Sequence, residues 1–202
     1  MSNLNLFSAL RAAFPADLDA IAVETADAGG PGLCYSWRDL DRATAMMANL
    51  LTSLKLPAGS RVAVQVEKSF EAVMLYLATL RAGYVFLPLN TAYTPSELLY
   101  FVSNAGARLL VADPRTSGPL EPVASEAGAA LLTLSAEGIG TFAALAANQP
   151  TTFPTHPRGP SDLAALLYTS GTTGRSKGAM MSHRALLAEY TSTLLATDIV
   201  IL

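Results

Sequence analysis

Hydrophobic residues in the first 112 positions follow two spacings. Short runs rich in Val, Leu and Ala, at 61–66, 84–89 and 108–112, predict buried β-strands. Apolar residues at helical spacing over 67–82 and 95–104 predict helices between those strands. Because strands and helices alternate, we predict an α/β fold, with a doubly wound, mainly parallel sheet and flanking helices.

Local residues predict where several helices begin and end. Ser36 with Asp39 fits the capping box of a helix N-terminus, with aspartate in place of the usual glutamate. Thr94 with Glu97 fits the same motif, and Gly83 is a typical helix stop. The other elements predicted in this region are a helix over 4–14, a strand over 20–24, a loop over 27–32 and a helix from Ser36 to about Leu54.

The segment from 117 to 160 has a weaker pattern, because it is rich in Ala, Gly and Pro. It predicts only a short strand near 131–134 and a helix near 142–147. Three prolines in its last ten residues indicate a surface connector. We therefore divide the chain into an α/β part over 1–150, a connector over 151–160 and a third part over 161–202.

The third part contains a hydroxyl-rich segment between two apolar runs. The runs at 163–168 and 179–181 predict two strands, followed by a helix from about His183 to Leu195 and a strand at 198–202. The segment between them reads Thr-Ser-Gly-Thr-Thr-Gly-Arg-Ser-Lys-Gly, from Thr169 to Gly178. Glycine N–H groups, hydroxyls and a lysine together suit a polyphosphate.

The segment has two other interpretations, a plain surface turn and a Walker-type nucleotide-binding loop. A plain surface turn has a similar composition, and it stays the alternative. A Walker-type loop is excluded, because only two residues separate Gly171 from Gly174, whereas that motif has four. A strand also follows Lys177 here, where the Walker motif opens a helix.

Composition narrows the class of protein further. About half of the 202 residues are hydrophobic (51%) and the net charge is −3, which predicts a globular protein and no nucleic-acid partner. Cys34 is the single cysteine, so no intramolecular disulfide can form, and a reduced, cytoplasmic location is expected. We expect Cys34 to be buried or merely tolerated. His156 and His183 lack metal-ligand spacing, so no metal site is assigned.

No targeting or membrane-spanning segment is predicted. The N-terminus lacks a cationic region followed by a continuous apolar run. The most apolar stretch, 72–89, contains Arg81 and is broken by Gly83 and Pro88, so a buried helix and strand explain it better than a membrane span.

The hydroxyl-rich segment also resembles a known family. Residues Tyr168–Gly178 are similar to the signature of the adenylate-forming (AMP-binding) superfamily, which includes acyl-CoA synthetases, adenylation domains of peptide synthetases and luciferases. Leu77–Asn90 is similar to an early block of that superfamily. Asn90–Thr94, followed by Glu97–Tyr100, resembles malonyl-CoA synthetases and related acyl-CoA synthetases most.

The resemblance implies an ATP-dependent ligase that converts a carboxylate to an acyl-adenylate and then, with coenzyme A, to a thioester. ATP, Mg²⁺ and coenzyme A are the implied cofactors and co-substrates. Arg175 lies at a position that varies in the family, so it is a weaker candidate for a phosphate ligand. His183 is expected to begin a helix rather than to take part in catalysis. The implied ligands of the ATP phosphates are Thr169, Ser170, Gly171, Thr172, Thr173, Gly174 and Lys177.

Members of the superfamily are more than twice as long as this chain, so we expect it to be an N-terminal fragment that forms no thioester by itself. The adenine, magnesium and acyl sites and the catalytic lysine would lie beyond Leu202, and no catalytic residue is assigned. Malonate or another small dicarboxylate is the favoured substrate. The alternatives are an adenylation domain that loads a carrier protein, and an inactive relative that binds only nucleotide or a partner. A homo-oligomer is considered as well.

Overall fold

The computed structural model describes residues 3–25, 32–169 and 176–196. Strands and helices alternate along most of this length, as the sequence pattern predicts. The strands are β1 (Ile21–Glu24), β2 (Cys34–Ser36), β3 (Arg61–Gln65), β4 (Val85–Pro88), β5 (Ala107–Ala112), β6 (Ala130–Thr133), β7 (Leu163–Thr169) and β8 (Lys177–Ser182). The α-helices are α1 (Leu6–Ala12), α2 (Trp37–Ser53), α3 (Phe70–Arg81), α4 (Pro95–Ala105), α5 (Glu121–Ala127), α6 (Thr141–Ala146) and α7 (His183–Ala196).

The main sheet has six strands in the order β6-β5-β3-β4-β7-β8. Neighbours from β6 to β7 are parallel, and β8 pairs antiparallel with β7 to form a hairpin. A separate antiparallel pair, β1 and β2, lies just before α2. The predicted α/β class and mainly parallel sheet are thus confirmed.

Helices cover both faces of the sheet. Val62 and Val64 of β3 pack with α1, α2, α3 and α6 in one core, whereas Ala63 packs with α4 and α5 in the other. Because α3 and α4 follow consecutive strands and join different cores, the sheet is doubly wound.

The helices and strands predicted before residue 113 are all present, and their ends lie within three residues of those expected. The loop predicted over 27–32 lies outside the described residues except for Gly32. Both capping boxes form: the Ser36 and Asp39 side chains cap α2, and those of Thr94 and Glu97 cap α4. Residues 151–160 form neither helix nor strand. The division of the chain at 150 and 160 stays a prediction, and the strand expected at 198–202 lies outside the described residues.

Two elements were missed in the sequence. The helix α5, with a short 3-10 turn before it, lies in the Ala/Gly/Pro-rich region. Pro122 stands in the first turn of α5, where proline costs no hydrogen bond, so a residue that resembles a breaker is part of a helix start. Strand β2 is only three residues long and owes its conformation to pairing with β1.

Arg81, the cation inside the apolar stretch, is 7% exposed at the end of α3. Its Nη1 donates to the Asp41 carboxylate at 2.9 Å and to the Thr44 hydroxyl at 3.0 Å, both on α2. Its Nη2 donates to the carbonyl of Phe153 at 2.9 Å, and its guanidinium carbon lies 4.7 Å from the centre of the Phe7 ring. Arg81 therefore joins α3 to α2, to α1 and to the segment before β7.

Among the described residues, no helix combines the length and the apolar character needed to cross a membrane. Cys34 is exposed and forms no disulfide. Of the two expectations for this residue, burial is wrong, because β2 lies at the surface of the small β1–β2 pair and leaves the thiol accessible.

We predict that Arg81→Met destabilises the fold by about 2 kcal/mol, because it removes the buried donor of the Phe153 carbonyl and leaves the Asp41 carboxylate with only the more exposed Arg11. Urea unfolding followed by circular dichroism measures the change. Arg38→Met removes an arginine from an exposed ion pair with Asp19 and serves as the control, with little or no change expected. Equal losses in the two variants would contradict the assigned role of Arg81.

Candidate functional site

The strand order creates a crevice at the carboxyl edge of the sheet. The connection from β3 through α3 leads to β4 on one side, and the connection from β4 through α4 crosses to β5 on the other side of β3. Ligands of doubly wound folds bind where the connections diverge in this way. Two cavities of about 770 and 350 Å³ lie at this point and share Glu67 and Thr91 in their walls.

A buried amide shapes the loop between the two cavities. Gln65, the last residue of β3, donates from Nε2 to the carbonyls of Asn90 at 3.0 Å, Tyr93 at 3.2 Å and Thr91 at 3.4 Å. The side chain of Asn90 accepts the N–H of Ala92 at 2.9 Å and tightens the same loop. The wall of both cavities therefore depends on one side chain at the end of the central strand.

Asp113 and Arg115 form the far wall of the smaller cavity. The Arg115 guanidinium donates to both carboxylate oxygens of Asp113, at 2.9 and 2.6 Å. These hydrogen bonds hold the pKa of Asp113 below its usual range, so the carboxylate stays ionised at neutral pH. The pair neutralises itself and leaves no net charge for a ligand.

The larger cavity is bounded by Tyr168, near the end of β7, where the hydroxyl-rich segment begins. The last residue pair of the β7–β8 hairpin is Thr169 with Lys177, and both side chains are exposed. In the described part of the chain, Lys177 makes no ion pair with any carboxylate. A hydroxyl and an ammonium without an ion-pair partner among the described residues thus lie on paired residues at the tip of the hairpin, where β7 leads into the hydroxyl-rich segment.

An aromatic cluster holds this end of the hairpin against α4. The ring of Phe101 lies 4.7 Å from Tyr93, 5.3 Å from Tyr100 and 4.8 Å from Tyr168, centre to centre. Tyr168 donates its hydroxyl to Asn104 Oδ1 at 2.6 Å, and burial raises the pKa of Tyr168, which keeps that proton in place. The Tyr100 hydroxyl donates to the carbonyl of Ser176 at 3.3 Å. Both strands of the hairpin are therefore fixed to one helix.

Gly178 lies in close contact with the same packing. It lies opposite Tyr168 in the hairpin, and a Cβ at this position would come within 3.0 Å of Leu166 Cδ1 and 3.6 Å of Tyr168 Cε1. The distance to Tyr168 is an ordinary van der Waals contact, whereas the Leu166 methyl would have to shift by a few tenths of an ångström. The glycine thus leaves room for Leu166 beside the aromatic cluster.

Of the predicted phosphate ligands, the structure brings Thr169 and Lys177 together. Ser170, Gly171, Thr172, Thr173 and Gly174 lie outside the described residues, as does Arg175. Sequence reasoning missed Gln65, Tyr93 and Asp113 as wall residues. Their position at or just after the ends of parallel strands is the signal that could have found them.

The ATP phosphates and the Mg²⁺ implied by the resemblance require different ligands. The hydroxyl of Thr169 and the ammonium of Lys177, on paired residues next to the cavity-wall residue Tyr168, suit the phosphates of a nucleotide. For Mg²⁺, no group of three or more His, Cys, Asp or Glu side chains in the described ranges is arranged to hold a metal ion. We therefore assign no described residue to Mg²⁺.

The family of the chain follows from its sequence match. A family model described as AMP-binding enzyme matches residues 11–201. The chain belongs to the AMP-binding enzyme family. The match includes β3 to β8 and all the residues that line the two cavities, so the crevice lies within the matched region.

Individual AMP-binding enzymes resemble the chain to different extents. The crystal structure of ATP-bound MatB from Rhodopseudomonas palustris is 44% identical, with a TM-score of 0.87 over 96% of this chain and 37% of MatB. A 3-hydroxybenzoate/4-hydroxybenzoate–CoA ligase from Thauera aromatica is 33% identical over 75% of this chain and 30% of its own length. Phosphinothricin tripeptide synthetase PhsB from Streptomyces viridochromogenes is 35% identical over 82% of this chain and 13% of its own length. The chain thus spans well under half of each relative.

We predict that the hydroxyl of Tyr168 and the side chain of Asn104 stabilise the fold as a pair. In a double-mutant cycle of Tyr168→Phe and Asn104→Ala, we expect a coupling free energy of about 1 kcal/mol, measured by urea unfolding. Tyr100→Phe with Asn104→Ala is the matched control, because the Tyr100 hydroxyl bonds elsewhere. Additive effects in the Tyr168 cycle would contradict the hydrogen bond.

Proposed function

We propose that this chain carries the ATP-phosphate-binding part of an AMP-forming acyl-CoA synthetase that acts on malonate or a similar small dicarboxylate. The observation that carries the proposal is the β7–β8 hairpin, which pairs Thr169 with Lys177 directly after Tyr168, a wall residue of the larger cavity. The 44% identity to MatB, in an ATP-bound structure, supports the choice of nucleotide. The resemblance of Asn90–Thr94 to malonyl-CoA synthetases supports the choice of substrate.

In the proposed reaction, a carboxylate oxygen attacks the α-phosphorus of ATP, and pyrophosphate leaves. The thiol of coenzyme A then attacks the acyl carbon, and AMP leaves. Negative charge builds on the phosphates in the first step, so the ammonium of Lys177 and hydroxyl donors beside it would lower the barrier. Mg²⁺, when bound, shares that charge.

Hydrogen bonds between described residues fix the backbone next to the proposed phosphate site. The hydrogen bonds from Tyr168 to Asn104 and from Tyr100 to the Ser176 carbonyl hold the end of β7 and the residue before β8 at α4, so the backbone that carries Lys177 is positioned before the nucleotide arrives. Such preorganisation avoids reorienting the donors during the reaction. Ser170, Gly171, Thr172, Thr173 and Gly174 are proposed to complete the set of phosphate ligands on the strength of the signature alone. A cytoplasmic location is part of the proposal.

We predict that MgATP binds at this hairpin. In calorimetric titrations, Thr172→Ala combined with Lys177→Ala should weaken binding at least roughly tenfold, because two donors to the phosphates are lost. Lys55→Ala is the control, since Lys55 lies on the turn after α2, far along the chain from the hairpin. Unchanged binding in the double variant would overturn the assignment, and equal weakening in the control would show that the effect is not local. Absence of binding to the unaltered chain would mean that these 202 residues alone do not form the phosphate site.

A second candidate function is an adenylation domain that loads a carrier protein. The 35% identity to a tripeptide synthetase favours it. A full-length enzyme containing this sequence would decide between them when supplied with malonate, ATP and either coenzyme A or a phosphopantetheine-bearing carrier. Transfer to free coenzyme A supports the first proposal, and transfer only to the carrier supports the second. We expect no thioester from the 202 residues by themselves.

A further inference from the structure

His183 lies at the point where the β7–β8 hairpin ends and α7 begins. Its side chain is fully buried, at 0% exposure. The Nδ1 atom accepts the backbone N–H of Leu6 at 3.0 Å, and the backbone N–H of His183 itself donates to the carbonyl of Asp162 at 3.0 Å. Asp162 immediately precedes β7. His183 therefore connects the base of the hairpin, which is the start of β7 and the end of β8, to helix α1.

Helix α1 depends on such contacts for its position. It is seven residues long, too short to be stable in isolation. Asn5, its N-cap, donates from Nδ2 to the carbonyls of Leu80 at 2.7 Å and His156 at 2.8 Å, and the N–H of Leu4 donates to the carbonyl of Arg158 at 2.9 Å. The start of α1 is therefore attached to α3, to the segment before β7 and, through His183, to the end of β8.

The contact between His183 and Leu6 requires a neutral ring. An Nδ1 that accepts a hydrogen bond cannot carry a proton itself, so the ring proton is on Nε2, which has no hydrogen-bond partner among the described residues. Burial first, and then the nearby Arg158, lower the pKa of His183 to about 4, while Asp162 acts in the opposite direction. Arg158 and Asp162 are the charged groups that influence this ring. Protonation at Nδ1 would turn the acceptor into a donor that faces another donor.

We propose that His183 is a positioning residue for the β7–β8 hairpin: by accepting the Leu6 N–H, it attaches α1 to the base of the strand that carries Lys177. The hairpin is thereby held at both ends, by the aromatic cluster at its tip and by His183 at its base. The effect on nucleotide binding rests on the proposed function, whereas the effect on the hairpin itself does not.

The test compares two variants of His183 in the chain. In His183→Asn, the amide oxygen lies close to the position of Nδ1 and can accept the same N–H, whereas His183→Phe keeps a ring without an acceptor. Amide hydrogen exchange at Leu6, at Ala179 and Met181 of β8, and at Val111 of β5 is measured by NMR, together with the Kd for MgATP. In the Phe variant we expect protection to fall at least tenfold at Leu6, Ala179 and Met181 but not at Val111, and the Kd to rise at least threefold. In the Asn variant we expect values close to those of the unaltered chain.

A pH series provides a readout that loss of packing alone would not give. Because the pKa of His183 is lower in the folded chain than the ordinary value of 6.5, the contact is lost as the pH falls from 6.5 towards 4. Relative to the Asn variant, protection of Leu6 in the unaltered chain should fall about tenfold or more between pH 7 and pH 5. A parallel pH dependence in both proteins would overturn the role of His183.

The remaining outcomes separate this inference from the proposed function. Full protection of Leu6 in the Phe variant overturns the inference, and so does an equal loss at Val111, which would indicate general destabilisation. Loss at Leu6 without loss in β8 shows that α1 detaches without affecting the hairpin, and this also overturns it. If the unaltered chain binds no MgATP, the proposed phosphate site fails, and the exchange at Ala179 and Met181 still decides the role of His183.

Discussion

The guanidinium of Arg81 connects segments that are far apart in the chain. It binds Asp41 on α2 and the Phe153 carbonyl, and it lies over the ring of Phe7 on α1. A buried cation is stable only when its partners surround it. The end of α3 can therefore be buried only if α1, α2 and the segment before β7 all take their places, and this requirement makes one face of the sheet cooperative.

The contacts of Arg81 also affect the crevice, because the segment that contains Phe153 leads into β7. On the face that Arg81 organises, Leu186 of α7 joins the core beside the hairpin. On the other face, α4 meets Tyr168 through Phe101. The hairpin is thus packed on both faces of the sheet, whereas its tip, the pair Thr169 and Lys177, stays exposed. A rigid base with an exposed polar end is the arrangement that a site for a charged ligand needs.

Sequence reasoning succeeded where the determinants are local. The capping residues Ser36 and Thr94 act within three positions of themselves, and the β-rich run that forms β3 needs no distant partner to be recognised. It failed where the determinant is a contact across the fold. Gln65 looks like an ordinary polar residue at a strand end, and only the fold brings the loop after β4 to its amide. The hydroxyl-rich segment was found because its composition is unusual, whereas the aromatic residues that hold it are common in any core.

The hydrogen bond between Leu6 and His183 also sets an order on the formation of the fold. The two residues are separated by 177 positions. A ribosome that adds about 5–20 residues per second would need roughly 10–35 s to make the second partner after the first. Until then α1 can be held only by its contacts with earlier residues, such as the hydrogen bond from Asn5 to the Leu80 carbonyl, and the Leu6 N–H lacks its final acceptor. The contact that joins α1 to the base of the β7–β8 hairpin is thus among the last that these residues can form during synthesis, because it needs the first helix and the residue that follows the last strand of the sheet.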